Sequence, residues 1–133
     1  MSRTPTDDRP QSRCEKGMKH KTLRFGKGFN VVLGNGRSQA AQMVLLPGES
    51  EGSATNRHSQ ADQWLFVIKG SGTAVVNRRG YPLRPGSLFL IEHGDRHEIR
   101  NDGAETLLTL NFYVPPGYSS NGKELPAGKP ADG

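Results

Sequence analysis

Short β-type stretches recur about every ten residues along the middle of this chain, each closed off by Gly, Pro, Asn or Asp, and that rhythm restricts the fold more than any other feature. The stretches are Thr22–Phe25, Phe29–Leu33, Ala40–Leu46, Gln63–Ile68, Gly72–Asn77, Tyr81–Leu83, Ser87–Ile91, His97–Arg100 and Leu107–Val114. No window sustains a helical repeat over three turns, and 17 glycines with 9 prolines punctuate the rest. The body is expected to be all-β, a sandwich or barrel around one core, and 133 residues leave room for one domain.

Alternation along a strand fixes which side chains share a face. If Gln63 points inward, Leu65 and Val67 follow it, while Trp64, Phe66 and Ile68 face out. Such an outer face is too apolar for water, so a second sheet, the N-terminal segment or another subunit must cover it. A homodimer is the expectation.

The net charge of +5 is not spread over the body. Arg3, Arg9, Arg13, Lys16, Lys19, Lys21, Arg24 and Lys27 outweigh Asp7, Asp8 and Glu15, so residues 1–28 carry the whole excess and the remainder is neutral. A basic arm of this kind can touch phosphate, but it lacks interleaved aromatics beyond Phe25, which argues against nucleic acid as the partner. Residues 1–17 and 119–133 hold almost nothing to bury and read as disordered tails around a domain over 18–118, with Met18 a possible alternative start. Cys14 is the lone cysteine, so no intramolecular disulfide forms. With no run of about 18 apolar residues and no secretory leader, a cytoplasmic protein off the membrane is expected.

Chemistry-bearing residues gather at two places. Asn56 and His58 are two apart and project to one side of an extended chain, and Gln63 rejoins that side if Ser59–Asp62 form a turn. His97 follows the turn segment Glu92–Arg96 and opens the stretch HEIRN. A lone histidine at a strand end is ordinarily a hydrogen-bonding residue, and Gln63 with Asn56 can equally bond each other across a wet pocket. Arg96 is a candidate contact for an anionic substrate, His93 reads as a solvent-facing turn residue, and Asn101-Asp102-Gly103 suggests a hairpin.

At these residues the chain resembles the small single-domain cupins, whose two motifs run G(X)5HXH(X)3,4E(X)6G and G(X)5PXG(X)2H(X)3N. The first is matched by Asn56, His58, Gln63 and Gly70, and the second by Gly86, Glu92, His93, Gly94, His97 and Asn101. The segment PGESEG at 47–52 and the stretches LRPGSLFLIE and LNFYVPPGY extend the likeness over about residues 28–118. The resemblance implies a double-stranded β-helix, or jelly-roll barrel, and a divalent metal (Fe, Ni, Zn or Mn) held by His58, His97, Gln63 and Asn56. Gln63 stands where the family has glutamate and Asn56 where it has histidine, so the donor set carries no negative charge and should bind metal more loosely than three His and a Glu, or complete its shell with an anionic ligand. Glu51 is the one upstream carboxylate near enough to enter, though at no ligand spacing. Two functions fit: an isomerase, lyase or dioxygenase acting on a small oxygenated organic acid or sugar derivative, or a non-catalytic binder or sensor of such a molecule.

Overall fold

The computed structural model describes residues 17–53 and 61–118, and Asn56, His58 and both expected tails lie outside them apart from Gly17. Among the described residues there are strands and turns and no helix. The strands are β1 (Gly28–Gly34), β2 (Gln39–Leu45), β3 (Ser50–Ser53), β4 (Asp62–Lys69), β5 (Gly72–Val76), β6 (Arg79–Leu83), β7 (Leu88–Ile91), β8 (His97–Arg100) and β9 (Leu107–Val114). They form two antiparallel sheets, one in the order β1-β2-β9-β4-β7 and the other β3-β8-β5-β6, packed face to face as a jelly roll.

The expected facing holds. Gln63, Leu65 and Val67 are 2%, 0% and 0% exposed, whereas Trp64, Phe66 and Ile68 remain near 40%. Between the sheets Met43, Leu45, Leu65, Val67, Ala74, Leu83, Ile91, Ile99 and Leu107 pack into an aliphatic core. A smaller cluster of Ala41, Ala61 and Tyr113 lies apart from it, with Phe29, Val31 and Tyr118 against it.

Three expectations need correction. Thr22–Phe25 is not a strand. Phe25 takes a left-handed φ of 51°, and its N–H donates to the Gln42 side-chain oxygen (3.2 Å) instead of joining a ladder. Ser50–Ser53 does form a strand, because its Ser-Glu-Gly-Ser run, too polar to show periodicity, pairs with β8 from Ser50 opposite Arg100 to Ser53 opposite His97. Asn101–Gly103 makes no hairpin either, since β8 and β9 belong to different sheets. Asn101 is instead a buried clamp: its Nδ2 donates to the carbonyls of Leu45 and Glu105 (2.8 Å each), and its Oδ1 accepts from Gly103 N–H (3.0 Å).

Local geometry explains why the motif residues fall where they do. Gly70, which ends the first motif, has φ +90°, and a Cβ there would collide with the Thr106 carbonyl oxygen and come within 2.9 Å of Leu107 Cα. Asn77 and Arg78, at φ 49° and 71°, make the two-residue turn that joins β5 to β6 and sets Arg79 directly opposite Val76.

Candidate functional site

One end of the barrel collects the chemistry: β4 starts there, β8 starts there, and β7 and β9 finish there. Gln63, second in β4, faces inward opposite Ile91 and Tyr113. His97, first in β8, faces inward from the other sheet, 5% exposed, with Val76 and Ser53 as its strand partners. Two of the four expected metal donors therefore converge on the interior at one end, from opposite sheets.

A buried hydrogen-bond chain sets the direction of the Gln63 carboxamide. Thr109 Oγ1 donates to the Met43 carbonyl (2.9 Å), so the hydroxyl must accept from Asn111 Nδ2 (3.0 Å). Asn111 Oδ1 is left as the acceptor for Gln63 Nε2 (3.0 Å). The amide nitrogen is thus engaged and the oxygen points the other way. Gln63 Oε1 is buried and has no hydrogen-bond partner among the described residues. An unpaired buried acceptor costs about 1–3 kcal/mol and calls for a ligand, water or ion.

That oxygen is a workable metal donor, neutral and held in place by a second layer of side chains, as ligating groups ordinarily are. Among the described residues no three His, Cys, Asp or Glu come together as a metal-binding group, so any ion here would depend on the amide and on donors from the segment between 53 and 61. Glu51 pairs with Ile99 but stays exposed on the short strand β3, and partial desolvation pushes its carboxyl above the ordinary range.

The rim is built from turns. His93 N–H and its ring Nδ1 both meet Asp62 Oδ1 (2.9 and 3.0 Å), tying the β7–β8 turn to the start of β4. The His93 backbone N–H, then its ring, lower the Asp62 carboxyl, and the hydrogen bond to Asp62 raises the imidazole. Arg96 is fixed through its backbone, its N–H donating to Asn77 Oδ1 (3.0 Å) and its carbonyl accepting from Asn77 N–H (2.8 Å). A cleft of about 460 Å³ opens beside the rim between β6 and β7, and its cationic lining is Arg79, with Tyr81, Asn77 and Asp95 around it.

Sequence reasoning passed over Asn111, Thr109 and Arg79. The first two had a signal: along LLTLNFYV the set Leu107, Thr109, Asn111, Tyr113 is more polar than Leu108, Leu110, Phe112, Val114, yet it is the buried set. Arg79 needed the β5–β6 turn, which Asn-Arg announces less plainly than Asn-Gly.

The family model for the cupin domain matches residues 41–113, more than half of the chain. This chain belongs to the cupin family. Among curated proteins the cupin is 29% identical over 68 residues to an L-ectoine synthase from Vibrio campbellii, the match taking in 50% of this chain and 53% of that protein. The match therefore spans about half the length of that relative. Among solved structures the cupin resembles BH2720 of Bacillus halodurans (TM-score 0.66, 24% identity, 71% of this chain and 75% of that one). It also resembles TT1209 of Thermus thermophilus (TM-score 0.62, 24% identity, 70% and 90%). At these identities the two structures bear on the fold alone.

Proposed function

We propose that this cupin binds a divalent transition metal (Fe, Ni, Zn or Mn) and acts on a small oxygenated organic acid or sugar derivative by isomerase, lyase or dioxygenase chemistry. His97 and Gln63 would hold the ion together with His58 and Asn56. The observation that carries the reading is the Gln63 carbonyl oxygen, buried, oriented by Asn111 and lacking a partner among the described residues, on the same interior end as His97. When bound, such a metal polarises a carbonyl or enolate oxygen of the substrate. Because the donors bring no charge, an anionic substrate is needed to neutralise the ion, which is why an organic acid fits better than a neutral sugar. The Val-Leu-Ile side of the barrel keeps water from the far end, so the ligand enters at the rim.

The apolar outer face of β9, β4 and β7 is assigned to a second copy of the chain. Its centre, Trp64, Phe66, Ile68, Leu88, Leu90, Phe112 and Val114, is apolar, and charge enters only toward the ends of β4, at Asp62 opposite Val114 and Lys69 opposite Leu108, so it can meet its own image across a two-fold axis without a like-charged centre. The described N-terminal segment reaches only its edge, where Lys19 shares a cleft with Phe112, and otherwise lies on β1 and β2, with Lys19 bonded to Gly34 and Phe25 to Gln42. The lone Cys14 fits a reducing, cytoplasmic setting.

Element analysis of protein purified without chelator or affinity-resin metal tests the metal reading. Bound Fe, Ni, Zn or Mn that is lost in His58→Ala and His97→Ala is the expected result. The donor set's neutrality favours a second reading, a binder or sensor without metal. Metal-free protein that gains no thermal stability from any of the four ions would establish it in place of the first.

A further inference from the structure

The cleft between β6 and β7 opens where the edge strands of the two sheets face each other, and one of its walls continues into the barrel interior. Arg79 and His97 are both strand partners of Val76, one from β6 and one from β8. Directly paired residues share a face, so His97, Val76 and Arg79 form one row across the inner side of the sheet, spanning roughly 9–10 Å. The next row repeats this with Ile99, Ala74 and Tyr81. Arg79 makes no ion pair with a described carboxylate. Asp95, across the cleft, is occupied by Asn77 Nδ2 (2.9 Å) and Glu92 N–H (3.0 Å). Tyr81 meets Phe89 edge to face (centroids 5.9 Å apart), giving the cleft an aromatic wall that bridges the two sheets.

We propose that this cleft is the recognition site for a small hydroxylated carboxylate, with Arg79, and not Arg96, taking the carboxylate. A planar guanidinium with unused N–H groups matches a carboxylate in two parallel hydrogen bonds. The Tyr81 ring supplies an apolar surface for the carbon skeleton, and the lone pairs left on Asp95 and the second Nδ2–H of Asn77 remain for hydroxyl groups. The fixed negative charge of Asp95 selects against ligands with several charges and for ones with hydroxyl donors beside a single carboxylate. The volume, about 460 Å³, suits a molecule of about six carbons. A ligand anchored at Arg79 can reach along the row toward His97. The inference deepens the organic-acid reading above but does not require the metal.

The test is NMR titration of chelator-treated full-length protein with gluconate and galacturonate, with sorbitol and galactose as neutral counterparts, alongside metal analysis of the untreated protein. Expected are saturable shifts at Arg79 Nε–H and the Tyr81 ring with the acids and not with the neutral counterparts. Arg79→Gln should weaken binding about tenfold or more, Arg79→Lys should retain part of it, and Arg96→Gln should leave it unchanged. Absence of shifts with either acid, equal shifts with the neutral counterparts, or unaltered affinity in a folded Arg79→Gln protein would overturn the proposal. Untreated protein that proves free of metal, with the Arg79 shifts present after titration, sinks the metal reading alone, and untreated protein that carries metal, without those shifts, sinks this one alone.

Discussion

At the level of single residues, the site depends on an amide whose direction is dictated by its neighbours. Thr109 and Asn111 have no evident ligand role, yet without them Gln63 could turn its nitrogen inward. Asn111→Leu should lower stability by about 1–3 kcal/mol in denaturant melts despite the more apolar side chain, because it strips partners from Gln63 Nε2 and Thr109. Adding Gln63→Leu should recover part of the loss, as removing both partners of a buried bond usually does. At the rim, Asp62 has a lowered pKa and His93 a raised one. Their mutual stabilisation is full below the ordinary imidazole value of 6.5, fades as pH rises through the raised His93 value, and is lost again in acid as pH falls through the lowered Asp62 value. NMR titration should find His93 above 6.5 and find it falling back in Asp62→Asn.

Among the strands and turns, glycines differ in what they protect. Gly70 and Gly86 share a φ near +90°, but a Cβ on Gly70 meets the Thr106–Leu107 backbone while one on Gly86 meets nothing within 4 Å. Gly70→Ala should cost about 2–4 kcal/mol and Gly86→Ala about 1 kcal/mol in paired thermal melts. Much of this layer was legible in the chain: the alternation through Gln63–Ile68 gave both faces of β4, and turn residues marked most strand ends. What stayed hidden depended on partners remote in sequence. β3 exists because β8 lies beside it, and Asn101 became a clamp because Leu45, 56 residues away, offers a carbonyl. Of the candidate site, the strand-end places of His97 and Gln63 were readable from spacing, whereas the row that joins His97 to Arg79 needs the register of three strands. Asn56 and His58 lie outside the described residues.

For the molecule taken whole, the larger sheet sets a few polar side chains among the aliphatic ones of its inner face and leaves an apolar outer face exposed. Its inner face carries Gln39, Gln63, Thr109 and Asn111, while its outer face carries Trp64, Phe66, Ile68, Leu88, Leu90, Phe112 and Val114. Buried polar groups set into an otherwise aliphatic interior suit a ligand pocket, and an apolar exterior suits a second copy. Trp64→Asp should convert a dimer to a folded monomer in light scattering after size exclusion. A wild-type protein that runs as a monomer at micromolar concentration would remove the two-fold interface.

The proposed site requires the Gln63 carbonyl and the His97 imidazole to address one shared point inside the barrel. Paramagnetic broadening by Mn²⁺ in the NMR spectrum of the full chain is the sharpest test of that pairing. Selective loss of the Gln63 carboxamide and His97 ring signals at low added Mn²⁺ is expected, abolished in His97→Ala. Broadening confined to exposed carboxylates such as Asp102 and Glu105, with both interior signals intact, would contradict it.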